Sequence, residues 1–302
     1  MFTKTQLEKA TDYWGKDVFD RIAQHATDYA AKWELTNLQF FDSYSMNAIF
    51  YCSSKIYGEC VLKIGGDDQD NEFVWEKNIL QEYDGKGYIR IHKSDIDLAK
   101  RKKVMLLERV LPGDELANEP SLEKRLAIFS KLLKNLHIQP ANINIYKKYS
   151  EGVEDCLNQI SKREDCQDLY KHMAKAREIF VTIAATYTKE VLLHGDLSFH
   201  NILKRNDETY AIIDPQGRIG DPIFDISRYL LVEYYNMEDD QREEKMNVII
   251  DYLEKSLQVP NEIIRQCYYV EIASFECWCA SVGDYTIENV IFAESLMNAA
   301  KS

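Results

Sequence analysis

The chain has 302 residues, 45% of them hydrophobic and 29% charged, with a formal net charge of −13. That length exceeds one ordinary hydrophobic core and predicts two lobes. The acidic balance argues against a nucleic-acid partner, whose phosphates need basic patches, and the ~18 consecutive apolar residues of a membrane span occur nowhere.

The first residues, Met1-Phe2-Thr3-Lys4-Thr5-Gln6, lack an apolar signal core, so secretion is not expected. From about Lys4 to Leu35, the recurrence of Val18, Ile22, Ala26, Tyr29, Ala30 and Trp33 at three- and four-residue steps predicts one helix with one apolar face. Runs rich in β-branched and aromatic residues follow: Phe40-Phe41, Ala48 to Cys52 and Cys60 to Ile64, the last two joined as a hairpin by Tyr57-Gly58-Glu59. A helix is expected between Asp70 and Asp84. Strands at Tyr88–Ile91 and Val104–Glu108 then complete a five-stranded sheet, with Lys100 to Lys103 as a solvated loop between them. Pro112 and Gly113 mark a linker.

Beyond Ser121 the chain reads as mainly helical. One helix face from Leu122 to Leu136 stops before Pro140, and a helical block from about Gly152 to Tyr187 breaks near Arg163-Glu164-Asp165. A β-hairpin with Asn206-Asp207 at its turn interrupts the helices, which resume at roughly Phe224–Tyr235, Asp240–Leu257, Asn261–Val282 and Thr286–Ala299. Seven cysteines are scattered without a framework, and Cys277 and Cys279 are spaced C-x-C, unlike a C-x-x-C metal or redox pair. Free thiols in a reducing cytoplasm are expected.

The chemistry concentrates in that hairpin. Val191-Leu192-Leu193 delivers His194-Gly195-Asp196-Leu197-Ser198-Phe199-His200-Asn201, and Ala211-Ile212-Ile213 delivers Asp214, 18 positions beyond Asp196 (214 − 196). Two apolar runs ending on Asp196, Asn201 and Asp214 offer an acid that accepts a hydroxyl proton, with an amide and a second acid that hold Mg²⁺. A capping and turn network is the bland alternative. Lys63, in the otherwise apolar Val61-Leu62-Lys63-Ile64, either points to solvent or reaches into a cleft. Glu76 on the following helix is placed to pair with it, with Glu72 as competitor. A lysine so held can neutralise nucleotide phosphates. His200 faces either a substrate or the packing beneath its loop, with packing favoured.

The block His194–Asp225 resembles the aminoglycoside phosphotransferase family, small-molecule relatives of protein kinases. Ile213-Asp214-Pro215-Gln216-Gly217 and Gly220-Asp221-Pro222 look most like its streptomycin and hydroxyurea branch, as do Val61 to Gly65, Tyr83-Asp84-Gly85 and Leu106 to Arg109 with Pro112-Gly113. The resemblance implies an α+β, two-lobed protein-kinase-like fold: residues 1–108 as an N-lobe with a five-stranded antiparallel sheet, and 109–302 as a helical C-lobe with the catalytic loop and substrate site. It implies Asp196 as the catalytic acceptor of the hydroxyl proton, Asn201 and Asp214 as Mg²⁺ ligands, and Lys63 with Glu76 at the phosphates of ATP or GTP. His194 and Asp225 would support the loop.

Ser43 and Ser45 fall where such a fold covers the nucleotide, as phosphate donors or as plain turn formers, and Glu108 and Val110 where backbone groups read the base. The implied activity is transfer of the γ-phosphoryl to a small-molecule hydroxyl, resistance chemistry on an aminoglycoside-type antibiotic being the expected case, by a cytoplasmic monomer or dimer. A cationic acceptor suits the net charge. Gln216 stands where the branch usually has lysine, a departure at the position that bears on a streptomycin-type substrate. Glu233, Glu271, Glu276, Trp278 and Asp284 are acidic or aromatic candidates in the C-terminal helices, each more readily read as surface or core. A sugar kinase of the methylthioribose or ketosamine type is the alternative, and a catalytically dead nucleotide-binding regulator a further one.

Overall fold

A computed structural model describes residues 2–42, 45–67 and 71–299. In chain order come α1 (Lys4–Trp14), α2 (Lys16–Lys32), β1 (Leu35–Phe40), β2 (Asn47–Ser54), β3 (Gly58–Gly65), α3 (Glu72–Tyr83), β4 (Ile91–Asp97), β5 (Lys102–Glu108) and β6 (Pro112–Glu115). Next are α4 (Leu122–Leu136), α5 (Tyr149–Ile160), α6 (Gln167–Ala184), β7 (Val191–Leu193), β8 (Ile202–Arg205), β9 (Tyr210–Ile212) and β10 (Arg218–Gly220). Helices α7 (Ile223–Tyr235), α8 (Arg242–Leu257), α9 (Asn261–Ser281) and α10 (Ile287–Ala299) close the chain. No helix of the described residues is long and apolar enough to cross a membrane.

The resemblance implies a single cut, after Glu108. The contacts group it into Met1–Asp114 with Leu203–Pro215, and Glu115–Ile202 with Gln216–Ser302. The hairpin of β8 and β9 goes with the first unit because Tyr88 bridges Ile212 and the Ile89 amide donates to the Ile212 carbonyl at 3.1 Å.

In the first unit, five antiparallel strands run in the order β1-β2-β3-β5-β4. The helix expected from Lys4 to Leu35 is two helices, because Gly15 takes φ 77, outside the helical region and open to glycine without strain. Helix α2 then lays Ile22, Ala26 and Tyr29 on Phe40, Ala48, Phe50, Leu62 and Ile64 of the sheet. Each such fully buried large side chain contributes about 1.5–3 kcal/mol. Central strand β3 is covered on both faces: Leu62 and Ile64 join that core, and Lys63 turns to the opposite side, where α3 offers Glu76.

Two expectations for the sheet fail. The strand placed at Tyr88–Ile91 is instead β4, Ile91–Asp97, an edge strand whose mixed polar sequence hides the period of two. Lys102 and Lys103 belong to β5, not to a solvated loop. Lys103 is only 5% exposed. Its aliphatic stem lies where a Cβ on Gly65 would sit, 2.8 Å away.

The second unit is helical around α9, which packs on α5, α6, α7, α8 and α10. Strands β7 and β10 pair antiparallel, Leu192 opposite Ile219, and Leu192 also bridges Ile138. Strand β10 was not anticipated from the sequence, since three residues carry no readable period. This small ladder anchors the polar loop that follows β7.

Candidate active site

Lys63 in the first unit donates to Glu76 Oε2 at 2.7 Å and to Asp214 Oδ1 at 2.5 Å. Burial alone would lower the lysine pKa, but Asp214 and Glu76 outweigh it and hold the ammonium charged, above its ordinary value. One cation is shared by two carboxylates, so the buried one is under-compensated. Burial pushes Glu76 up to about 7, with Lys63 pulling down and Asp214 pushing further up. Asp214 is exposed and has φ 57, a left-handed conformation that aspartate tolerates better than most residues. Of the two glutamates considered for Lys63, Glu76 makes the bond.

The Glu108 carboxylate is spent on Arg205 Nη2, at 3.2 Å, and the Arg90 amide, at 3.0 Å. The Glu108 amide donates to the Arg90 carbonyl at 2.8 Å, and Val110 is buried. Ser45 is exposed, and its hydroxyl donates to the Asn47 carbonyl at 3.0 Å, a local turn bond. Ser43 lies outside the described residues.

In the second unit, buried Asp225 organises the loop. Its carboxylate accepts from the His194 amide at 2.9 Å and the Gly195 amide at 3.0 Å, and lies 2.8 Å from His137 Nε2. Burial raises the Asp225 pKa, but these donors outweigh it and the carboxyl ends below its ordinary value. His194 works through its ring, with Nδ1 accepting from the Asp196 amide at 3.1 Å. Gly195 has φ 82, and the Gln216 and Gly217 amides both donate to the His194 carbonyl. The loop is thus fixed before its functional side chains are considered.

Asp196 Oδ1 accepts from Arg228 Nε at 2.6 Å. Asn201 Nδ2 donates to the Asp196 carbonyl at 2.9 Å and, more weakly, to Oδ2 at 3.3 Å. Arg228 is held from behind: Nη1 donates to Glu271 Oε1 at 3.2 Å, and Glu271 Oε2 accepts from the Tyr149 hydroxyl at 2.9 Å. Burial lowers the Arg228 pKa and the charges of Glu271 and Asp196 raise it more, so the guanidinium stays charged. His200, expected in packing, is exposed instead, with Nδ1 2.6 Å from Glu115 Oε2.

A cavity of about 460 Å³ opens beside this loop, lined by Phe199, His200, Arg125, Glu233, Met237 and Lys245 among others. Glu233 is already engaged, by Arg125 Nε at 3.3 Å, Arg125 Nη2 at 3.2 Å and the Tyr229 hydroxyl at 2.8 Å. Glu276, also buried, accepts from the Tyr235 hydroxyl at 2.6 Å and the Thr286 amide at 2.8 Å. Trp278 is 59% exposed. Among the described residues no cluster of three or more histidine, cysteine or acidic side chains forms a metal site.

Sequence reasoning missed Arg228 and His137. Arg228 left a signal: a lone cation amid Ile226, Tyr229, Leu230 and Leu231 in a helix buried over most of its surface needs an anionic partner. His137 left none, because its partner is 88 residues away.

The sheet with its buried lysine–glutamate pair and the helical unit with its His-Gly-Asp loop define the protein-kinase-like fold. Choline kinase LicA from Streptococcus pneumoniae shares it at a TM-score of 0.65 and 12% identity, over 93% of this chain and 99% of that one. A thermostable mutant of aminoglycoside phosphotransferase APH(4)-Ia, in ternary complex with AMP-PNP and hygromycin B, does so at 0.61 and 11%, over 91% and 96%. The chain belongs to the aminoglycoside/hydroxyurea antibiotic resistance kinase family, whose model matches residues 52–283. It is 25% identical over 150 residues to Streptomycin 6-kinase of Streptomyces griseus, a stretch that spans 49% of this chain and about half, 47%, of that protein.

Proposed function

We propose that the protein transfers the γ-phosphoryl of ATP, as its Mg²⁺ complex, to a hydroxyl of a small molecule. The observation that carries this is Lys63, charged and buried between Glu76 and Asp214. Phosphoryl transfer demands positioning and charge neutralisation, and this lysine supplies a fixed cation for nucleotide phosphates. Asp214 would hold Mg²⁺, releasing Lys63 to the phosphates. In the second unit Asp196 would accept the hydroxyl proton, and Asn201 would be the other Mg²⁺ ligand. The donor set fits the ion: Mg²⁺ takes hard oxygens, and Asn201, donating through Nδ2 to Asp196, has Oδ1 as its acceptor atom. Bound Mg²⁺ would neutralise phosphate charge.

The AMP-PNP complex of APH(4)-Ia supports ATP as the nucleotide. Ser45, Glu108 and Val110 remain proposed nucleotide contacts, the last two through backbone atoms. Free cysteines among the described residues fit a reducing cytoplasm.

Family membership supports an aminoglycoside-type acceptor. One observation favours a less cationic, sugar-like one. The cavity beside Phe199 and His200 has its Glu233 carboxylate engaged by Arg125, and Lys245 stands at its wall, so it offers an ammonium group little. At about 460 Å³ it suits a small molecule. ADP release is to be measured from MgATP with streptomycin, hygromycin B, hydroxyurea, choline and neutral sugars. Stimulation by the aminoglycosides supports the first reading, and stimulation by sugars alone replaces it with the second. ATP bound without turnover on any acceptor or on water contradicts both.

A further inference from the structure

We propose that Arg228 is a positioning residue for Asp196, and that Glu271 and Tyr149 form the brace that holds it. The inference rests on the reading of Asp196 as the group that takes the hydroxyl proton. The geometry is a chain of directed bonds: Tyr149 hydroxyl to Glu271 at 2.9 Å, Arg228 Nη1 to Glu271 at 3.2 Å, and Arg228 Nε to Asp196 Oδ1 at 2.6 Å. Its members come from α5, α9 and α7, three helices packed together, so the brace has a rigid base.

The consequence for the carboxylate is specific. Oδ1 is taken by a charge-assisted bond, the stronger kind, whereas among the described residues Oδ2 meets only the longer 3.3 Å approach of Asn201. The two oxygens of Asp196 are therefore inequivalent, and Oδ2 is the one presented to an acceptor hydroxyl. An aspartate on a loop has two soft torsions, and a fork-shaped guanidinium that spans two carboxylates fixes both. Lysine, a point charge on a flexible stem, satisfies either carboxylate but does not orient the pair. Arg228 needs no contact with a substrate to matter, because misplacing the reacting group by about an ångström costs on the order of 10² in rate.

The test is a double-variant cycle on ADP release from MgATP with water as acceptor, which requires no acceptor to be identified first. Arg228→Met is expected to lower kcat about 10²-fold with the KM for MgATP within about twofold. Arg228→Lys should restore only part of the loss. Placed on top of Asp196→Asn, Arg228→Met should lower kcat by less than about twofold more, since the carboxylate it orients is already gone. Thermal unfolding of each variant identifies any that fails to fold, and Glu271→Gln, which keeps an acceptor for Arg228, gives a milder second probe expected to lower kcat about tenfold. Losses that multiply in the double variant would overturn the positioning role while leaving Asp196 in place. Wild-type turnover by Asp196→Asn alone would instead overturn the reading beneath it.

Discussion

The Lys63 ammonium lies 2.7 Å from the Glu76 carboxylate, and the two side chains are only 6% and 5% exposed. Neither is tolerable there alone. Breaking such a pair by removing one member costs about 3–5 kcal/mol, because the other charge is left buried.

Lys63→Met should therefore destabilise the protein, though by less than that, since Glu76 can escape by taking up a proton. Adding Glu76→Gln should recover much of the lost stability and none of the lost turnover. Urea unfolding and ADP release, measured on both variants, separate the two effects.

Glu76 also predicts a pH dependence. Its folded-state pKa, about 7, lies above the ordinary glutamate value of 4.5. A raised carboxyl stabilises the fold most below its unfolded pKa, and that contribution is lost as pH rises through the folded value. Glu76→Gln removes the titration. Wild-type stability should fall relative to this variant between pH 5 and about 8, read from urea midpoints.

Asp225 has the opposite sign. Its carboxyl is held below the ordinary value, so its contribution is present above the unfolded pKa and lost as pH falls through the folded one. Asp225→Ala strands the amides of His194 and Gly195 and should cost about 2–3 kcal/mol at neutral pH. The gap to wild type should close below the ordinary aspartate range. Chemical denaturation across pH 3 to 7 (on the order of the carboxylate range) measures it.

Gly195 tests the loop from its backbone. At φ 82 a Cβ would lie 3.2 Å from Arg218 Cγ and 3.5 Å from Gln216 Cβ. Gly195→Ala adds the cost of a left-handed non-glycine residue, about 1–2 kcal/mol, and tilts the amide beside Asp196. Turnover should fall more than stability does. Equal, small losses in both would mean that the loop tolerates the strain.

Much of the fold was legible because its signals are local. Helices α4 and α7 to α10 carry apolar residues at helical spacing over many turns, and the hairpin of β2 and β3 is marked by Gly58 at its turn. What escaped depends on tertiary context. Gly15 breaks a helix whose apolar face continues past it, and β4 is an edge strand whose residues are all at least partly exposed. Lys103 reads as solvated until Gly65 makes room for its stem. Of the candidate residues, Lys63, Glu76 and Asp214 in the first unit and Asp196 and Asn201 in the second lie in readable motifs. Arg228 and His137 act through partners 32 and 88 residues away, and no spacing rule reaches that far.

The central claim is that Asp196 takes the hydroxyl proton in a phosphoryl transfer, and one variant tests it most directly. Asp196→Asn keeps the size of the side chain and removes its basicity. ADP release should fall by about 10²–10⁴-fold, while ATP binding, followed by titration calorimetry, persists. Turnover at the wild-type rate would contradict the account.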